Sequence, residues 1–208
     1  MSTLRSNANR ANLTPKQLLD HLIEVISSDK FLNKRGLGNE VPFFICPFQP
    51  EDLVEMGKIR AQLIKALNTK NVRVLEIDLY DISIELLQER KLLDRILQSE
   101  ASMDKIKIKE TLQGVLDPER YLIPAIANKA DQAEFDVLFM SGVGEVFPYI
   151  RSHNVLNNLQ SAIKNQPTVM FFPGSYQHEL ATGASLDLFG RLHDDKYYRA
   201  FNILHYEV

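Results

Sequence analysis

A chain of 208 residues, 45% hydrophobic and 25% charged, is long enough to bury a core without disulfide or metal staples. Its formal net charge of −3 argues against a protein that binds chiefly to nucleic-acid phosphates, which calls for a basic excess. A single cysteine, Cys46, excludes an internal disulfide and any zinc centre built from several thiolates, and it fits a reducing, cytoplasmic compartment.

Residues 1–12 are polar, with arginine interleaved among Asn and Ser, and read as a flexible tail without the apolar stretch of a signal peptide. Thr14-Pro15 starts a helix, with Thr as N-cap and Pro at the first helical position. Leu18, Leu19, Leu22, Ile23 and Ile26 form its apolar stripe to about Ser28, and Gly36 and Gly38 break the pattern. Residues 41–48 are a continuous apolar run, as expected of a strand covered on both faces. A helix over about 50–68 follows, then a Val- and Ile-rich strand over 72–79.

Residues 80–133 read as helical, with Leu86, Leu87, Leu92, Leu93, Ile96 and Leu97 at helical spacing, a boundary near Gly114 and a new start at Asp117-Pro118. A third strand over 136–140 leads to a Gly-bearing turn and a helix over about 151–164. A fourth strand over 168–172 ends at Pro173-Gly174; residues 175–185 read as a loop, 186–192 as ambiguous, and 197–206 as a last strand. This order describes an α/β protein: a mostly parallel open sheet of about five strands with helices on both faces, one domain over 13–208 and a helical insertion at about 80–133. No run approaches the roughly 20 apolar residues of a membrane span.

In such a sheet ligands sit beyond the carboxyl ends of the strands. A phosphate-cradling loop after the first strand needs glycines and a lysine, yet Pro47 to Val54 contains neither and has two prolines. Ser141-Gly142-Val143-Gly144 could receive an anion, or be a tight turn in which glycine supplies a positive φ; Glu145 would compete with phosphate. Asp78 and Asp81 could hold Mg²⁺, but Asp81 fits better as a helix cap with Glu85 in the first turn. His178, His193, Asp194 and Asp195 carry metal-ligand types without a zinc spacing, and the latter three read as a polar turn.

Ser175 lacks a nucleophile elbow, and Cys46, inside an apolar run, reads as an inert core thiol. Lys105, Lys107 and Lys109 alternate and so spread around a helix instead of forming one basic stripe. No catalytic, cofactor or metal set emerges, and the expectation is a protein that is not an enzyme. The C-terminal stretch mixes Arg, Tyr and Phe, the residues that anchor interfaces, although a strand with an aromatic core face would look the same. The candidate partner-binding residues are Arg191, Asp194, Asp195, Tyr197, Tyr198 and Arg199, joined by Pro173, Gly174 and Tyr176.

Four stretches carry a resemblance: Phe43-Phe44-Ile45-Cys46-Pro47-Phe48; Phe139-Met140-Ser141-Gly142-Val143-Gly144-Glu145-Val146-Phe147-Pro148; Phe171-Phe172-Pro173-Gly174-Ser175-Tyr176; and Leu188-Phe189-Gly190 through Tyr197-Tyr198-Arg199-Ala200-Phe201. In order and spacing they resemble the BrxB family of BREX (bacteriophage exclusion) systems, from about residue 15 to the end. The resemblance implies a P-loop-like (RecA/AAA-like) fold that lacks the phosphate loop. It also implies an adaptor role in host DNA methylation and phage restriction. A phosphatase-fold PglZ protein is the expected direct partner, with the BREX ATPase and methyltransferase as further ones. Two alternatives stay open: a nucleotide-binding regulatory subunit using the carboxyl-end rim, and an accessory protein that contacts DNA directly.

Overall fold

Alternation along the central strands sends successive apolar side chains to opposite sides, so a strand that is apolar at every position must be covered twice. Phe43 and Ile45 join one core cluster while Phe44 and Cys46 join another. Leu138 and Met140 likewise face away from Val137 and Phe139, and Met170 and Phe172 away from Val169 and Phe171. The structure, a computed structural model, describes residues 13–34, 43–179, 183–194 and 200–208.

The chain begins with α1 (Pro15–Ile26), closed at its start by a capping box in which Thr14 and Gln17 satisfy each other's backbone N–H groups. The short α2 (Asp29–Leu32) is capped by Ser28. Then follow β1 (Phe43–Phe48), a single 3₁₀ turn at Pro50–Asp52, α3 (Leu53–Thr69) and β2 (Val74–Asp78). The helical middle resolves into α4 (Leu79–Glu89), α5 (Leu93–Glu100), α6 (Lys105–Val115), a π turn at Pro118–Leu122 and α7 (Ile123–Asp131). After β3 (Val137–Ser141) come α8 (Ser152–Ala162) and β4 (Thr168–Glu179). The chain closes with β5 (Gly183–Leu188), β6 (Leu192–Asp194), β7 (Phe201–Asn202) and a 3₁₀ turn at Ile203–His205.

Five strands pair in parallel in the order β2-β3-β4-β1-β7. The step from β1 to β2 passes through α3, and α1 and α3 cover one face with Leu22, Val25, Ile26, Met56, Ile59 and Leu63. The returning steps from β2 to β3 and from β3 to β4 pass through α4 to α8, and Ile82, Leu86, Ile126, Val155, Leu156 and Leu159 cover the other face. α5 and α6 contribute no fully buried residue and lie at the periphery of that layer. Among the described residues no helix is long and apolar enough to cross a membrane.

Several expected boundaries move. Of the expected loop over 175–185, the described residues are strand: β4 runs on through Glu179 and pairs antiparallel with β5, which pairs with β6. Polar residues alternate along this part because only one side of the hairpin is covered. Gly114 is the penultimate residue of α6, which ends at Val115, so the boundary expected there holds to within one residue. Asp78, not Asp81, caps α4, accepting from the Tyr80 and Asp81 backbone N–H groups at 2.9 and 3.4 Å. Among the described residues of the last expected strand, only Phe201–Asn202 is strand, beside Phe44 and Ile45 of β1. The polar segment 1–12 lies outside the described residues.

Phe44 stands at the centre of an aromatic group, with ring centroids 4.6 Å from Phe31, 5.3 Å from Tyr206 and 5.8 Å from Phe201. It thereby ties α2, β1, β7 and the C-terminus together. Phe44→Ala is expected to cost about 3–5 kcal/mol, the range for a fully buried ring, read as a lower midpoint in urea unfolding with an unchanged slope.

Candidate functional site

The carboxyl ends of the strands form one rim, and charge decides what it can accept. After β1 the chain reads Gln49-Pro50-Glu51-Asp52, a 3₁₀ turn feeding α3. After β2, the Asp78 carboxylate caps α4 and also accepts from the Ser141 hydroxyl of β3 at 2.8 Å. Gly142 (φ +73°) is required twice over: its conformation favours glycine, and any side chain there would strike the Asp78 carboxylate. No helix begins at this turn, since α8 starts only at Ser152. The arrangement that would cradle an anion is therefore replaced by a carboxylate.

Glu145, on the same rim, is held above the usual carboxylate range by burial and then by the nearby charges of Asp78 and Asp81, with Arg60 pulling the other way. Arg60 donates to Glu76 at 2.6 Å, and its guanidinium lies 5.9 Å from the centre of the Phe171 ring. Cys46 is fully buried and its thiol is pushed up to about 12, so it stays protonated at neutral pH.

The four resemblance-bearing stretches converge where β4 leaves the parallel sheet. Phe189 and Gly190 (φ +57° and +64°) are the central pair of a tight β5–β6 turn closed by the Arg191 N–H donating to Leu188 O at 3.1 Å. Both residues sit in the left-handed region, as a type I′ turn demands, which is uncommon for a bulky side chain. The ring of Phe189 lies over Gly144, whose missing side chain makes room for it, and the Pro173 ring lines the same space. The Phe189 N–H donates to Pro173 O at 2.9 Å. At Gly174 the Asp187 carbonyl approaches so closely that a side chain would collide with it, and the Ser175 hydroxyl donates to the Asp187 carboxylate at 3.3 Å. The Tyr176 hydroxyl donates to Ala200 O at 2.5 Å, joining β4 to the segment before β7.

The expected partner residues fall at different places in this corner. Tyr176 is buried, its hydroxyl pushed up to about 12 chiefly by burial, and Pro173 is buried too; both hold the corner together, and Tyr176 also lines a cavity beside it. Gly174 allows β5 to approach. Arg191 is exposed beside the turn, and the backbone of Asp194 pairs with Leu186. Asp195, Tyr197, Tyr198 and Arg199 lie outside the described residues. Phe189 (37% exposed) and Leu192 (39%) belong to the C-terminal stretch read as an interface but not to the named partner residues, and they are exposed in the same turn as Arg191. The hairpin signal was present in the alternation of Ser185-Leu186-Asp187-Leu188 before a Gly-containing pair, but Phe stands where Asn or Asp usually marks the turn.

Beside this corner a cavity of about 380 Å³ opens at the carboxyl ends of β1 and β4, bounded by Phe48, Asp52, Glu55, Met56, Ser175 and Leu204 among others. β1 and β4 are neighbours whose continuations diverge, one into α3 and the other into the hairpin, and crevices of this kind are where open α/β sheets hold ligands.

Fold and rim together define an α/β protein with a doubly covered parallel sheet, an antiparallel hairpin that continues β4 beyond it, and carboxylates along the carboxyl-end rim. The chain belongs to the BREX protein BrxB family, whose model matches residues 75–203. It is 33% identical over 195 residues to a BREX protein BrxB of Bacillus cereus (strain H3081.97), covering 89% of this chain and 95% of that one. It is 29% identical over 179 residues to a BREX protein BrxB of Escherichia coli O9:H4 (strain HS), covering 86% of each. No solved structure matches the chain at a significant level.

Two outcomes test the site. Gly144→Ala is expected to destabilise by about 1–3 kcal/mol through overpacking against Phe189, and by much less in a Phe189→Ala background; a double-mutant cycle in urea reads the coupling. For Glu145, a folded pKa raised above the unfolded value means that the folded state binds the extra proton, so stability falls as pH rises from about 4.5 through the raised value. Glu145→Gln should therefore raise the melting temperature at pH 7 and leave it unchanged near pH 3.5, as followed by circular dichroism.

Proposed function

We propose that the chain is a non-catalytic, cytoplasmic adaptor subunit of a BREX phage-defence complex, supporting host DNA methylation and phage restriction through protein contacts, most directly with a PglZ-type protein. One observation carries the reading. The described parts of the stretches that carry the resemblance build a packed corner that projects a hairpin tip, with Phe189, Arg191 and Leu192 exposed. Aromatic and arginine side chains held on a rigid scaffold are the usual anchors of an interface. The turn conformation of Phe189 is costly for a bulky residue, and backbone cost of this kind gathers at functional positions.

The proposal extends to the fold: the sheet is a P-loop-like scaffold without a working phosphate loop. The connection after β1, with its prolines and carboxylates, supports this. So does the placement of β1 inside the sheet between β4 and β7. The rim carboxylates Asp78 and Glu145 count against nucleotide binding at the β2–β3 end, because they would repel phosphate.

Co-expression with the PglZ-type neighbour, followed by size exclusion with light scattering, is expected to give one complex containing both chains. Phe189→Asn, which suits the type I′ turn but removes the ring, and Arg191→Glu should each weaken that complex without unfolding the protein. Separate elution of the two wild-type chains would direct the search to the ATPase and methyltransferase. Failure to associate with any BREX protein would end the adaptor reading.

A further inference from the structure

The cavity at the ends of β1 and β4 has a composition that selects its occupant. Its floor is apolar: Met56 and Ile59 of α3 are buried there, and Tyr176 and Leu204 add further carbon surface. Its mouth carries two carboxylates from the first residues of α3, Asp52 and Glu55. Asp52 stands at the N-cap position yet its side chain makes no capping hydrogen bond. Glu55 holds Lys58 at 3.0 Å, a pair of exposed side chains with little net hold in water. Ser175, Gln177 and Asn202 supply neutral polar groups along the walls. At about 380 Å³ the space lies within the usual range for a ligand pocket.

An anion is disfavoured here, since both carboxylates would repel it and the connection after β1 has no lysine to hold it. A purely apolar occupant would leave the carboxylates facing carbon. An aliphatic stem ending in a planar cation satisfies both parts of the cavity, because arginine lays its methylenes along apolar surface and donates paired hydrogen bonds to carboxylates. We propose that this cavity receives an arginine side chain of a protein partner, at the position in the fold where a nucleotide-binding relative holds phosphate, with the charge preference inverted. The inference rests on the adaptor reading for the source of the arginine, while the preference of the cavity for a guanidinium stands apart from it.

The test uses the full chain labelled with ¹⁵N and titrated with N-acetyl-arginine amide. N-acetyl-citrulline amide, a neutral near-isostere, and ATP serve as comparisons. The arginine probe should shift the amide resonances of Gly174, Ser175, Gln177 and Asn202, and citrulline and ATP should not. The double variant Asp52→Asn, Glu55→Gln should weaken the arginine response by roughly tenfold or more, the loss expected for hydrogen bonds to a charged group, with an unchanged melting temperature. Equal responses to arginine and citrulline, no response to either, or a response to ATP alone would overturn the assignment. Co-elution with the partner separates the two proposals. If wild type and the Asp52→Lys, Glu55→Lys variant hold the partner equally, the cavity is not where the partner docks and this inference fails while the adaptor reading stands. If wild type holds no BREX protein, the adaptor reading fails, and with it the assignment of the arginine to a partner.

Discussion

Coverage of the parallel sheet on both faces is the constraint on which the rest of this structure depends. A strand buried on both sides leaves little room for polar side chains, so β1, β3 and the first half of β4 are apolar apart from Ser141 and Thr168 at strand ends, and their buried apolar residues divide between two clusters. Each cluster then requires its own helical layer: α1 and α3 on one face, α4, α7 and α8 on the other. Because both layers are fully engaged with the sheet, the surfaces left for recognition are the ends of the strands and whatever projects beyond them.

β4 links these two regimes. Its first half lies between β3 and β1, and its second half leaves the sheet to pair antiparallel with β5. The handover happens at Pro173-Gly174, where Asp187 comes close enough that only glycine fits and where Phe189 folds back over Gly144. A turn that would ordinarily contain Asn or Asp holds a phenylalanine instead, and the ring contact with Gly144 and Pro173 offsets the backbone cost. Tyr176 pins the same corner from the other side through Ala200 O. The result is a hairpin held at a set angle to the sheet, with its tip exposed.

The electrostatics of the rim follow from the same architecture. Asp78 is committed to capping α4 and to the Ser141 hydroxyl, which places a carboxylate against the Gly142 turn and raises the proton affinity of Glu145 beyond what burial does alone. Asp52 and Glu55 add two further carboxylates at the start of α3. A rim of this sign suits cationic partners and turns away phosphate.

Much of this was legible from the residues in order. Continuous apolar runs, Thr14-Pro15 and Asp117-Pro118 as helix starts, and the missing glycines after β1 are local signals, and local chemistry decides them. The motif stretches also pointed to the family before any coordinates. What the sequence could not reveal was pairing across distance. The polar stretch after Gly174 reads as a loop until β5 pairs with it, Tyr176 reads as a surface aromatic until Ala200 O is seen to accept from it, and Gly144 reads as a flexible turn residue until the Phe189 ring is found above it. Helix starts and doubly buried strands are written in neighbouring residues because backbone sterics and side-chain periodicity act locally. The corner, the cavity and their charge depend on residues far apart in the chain, and only the packed structure decides which of them meet.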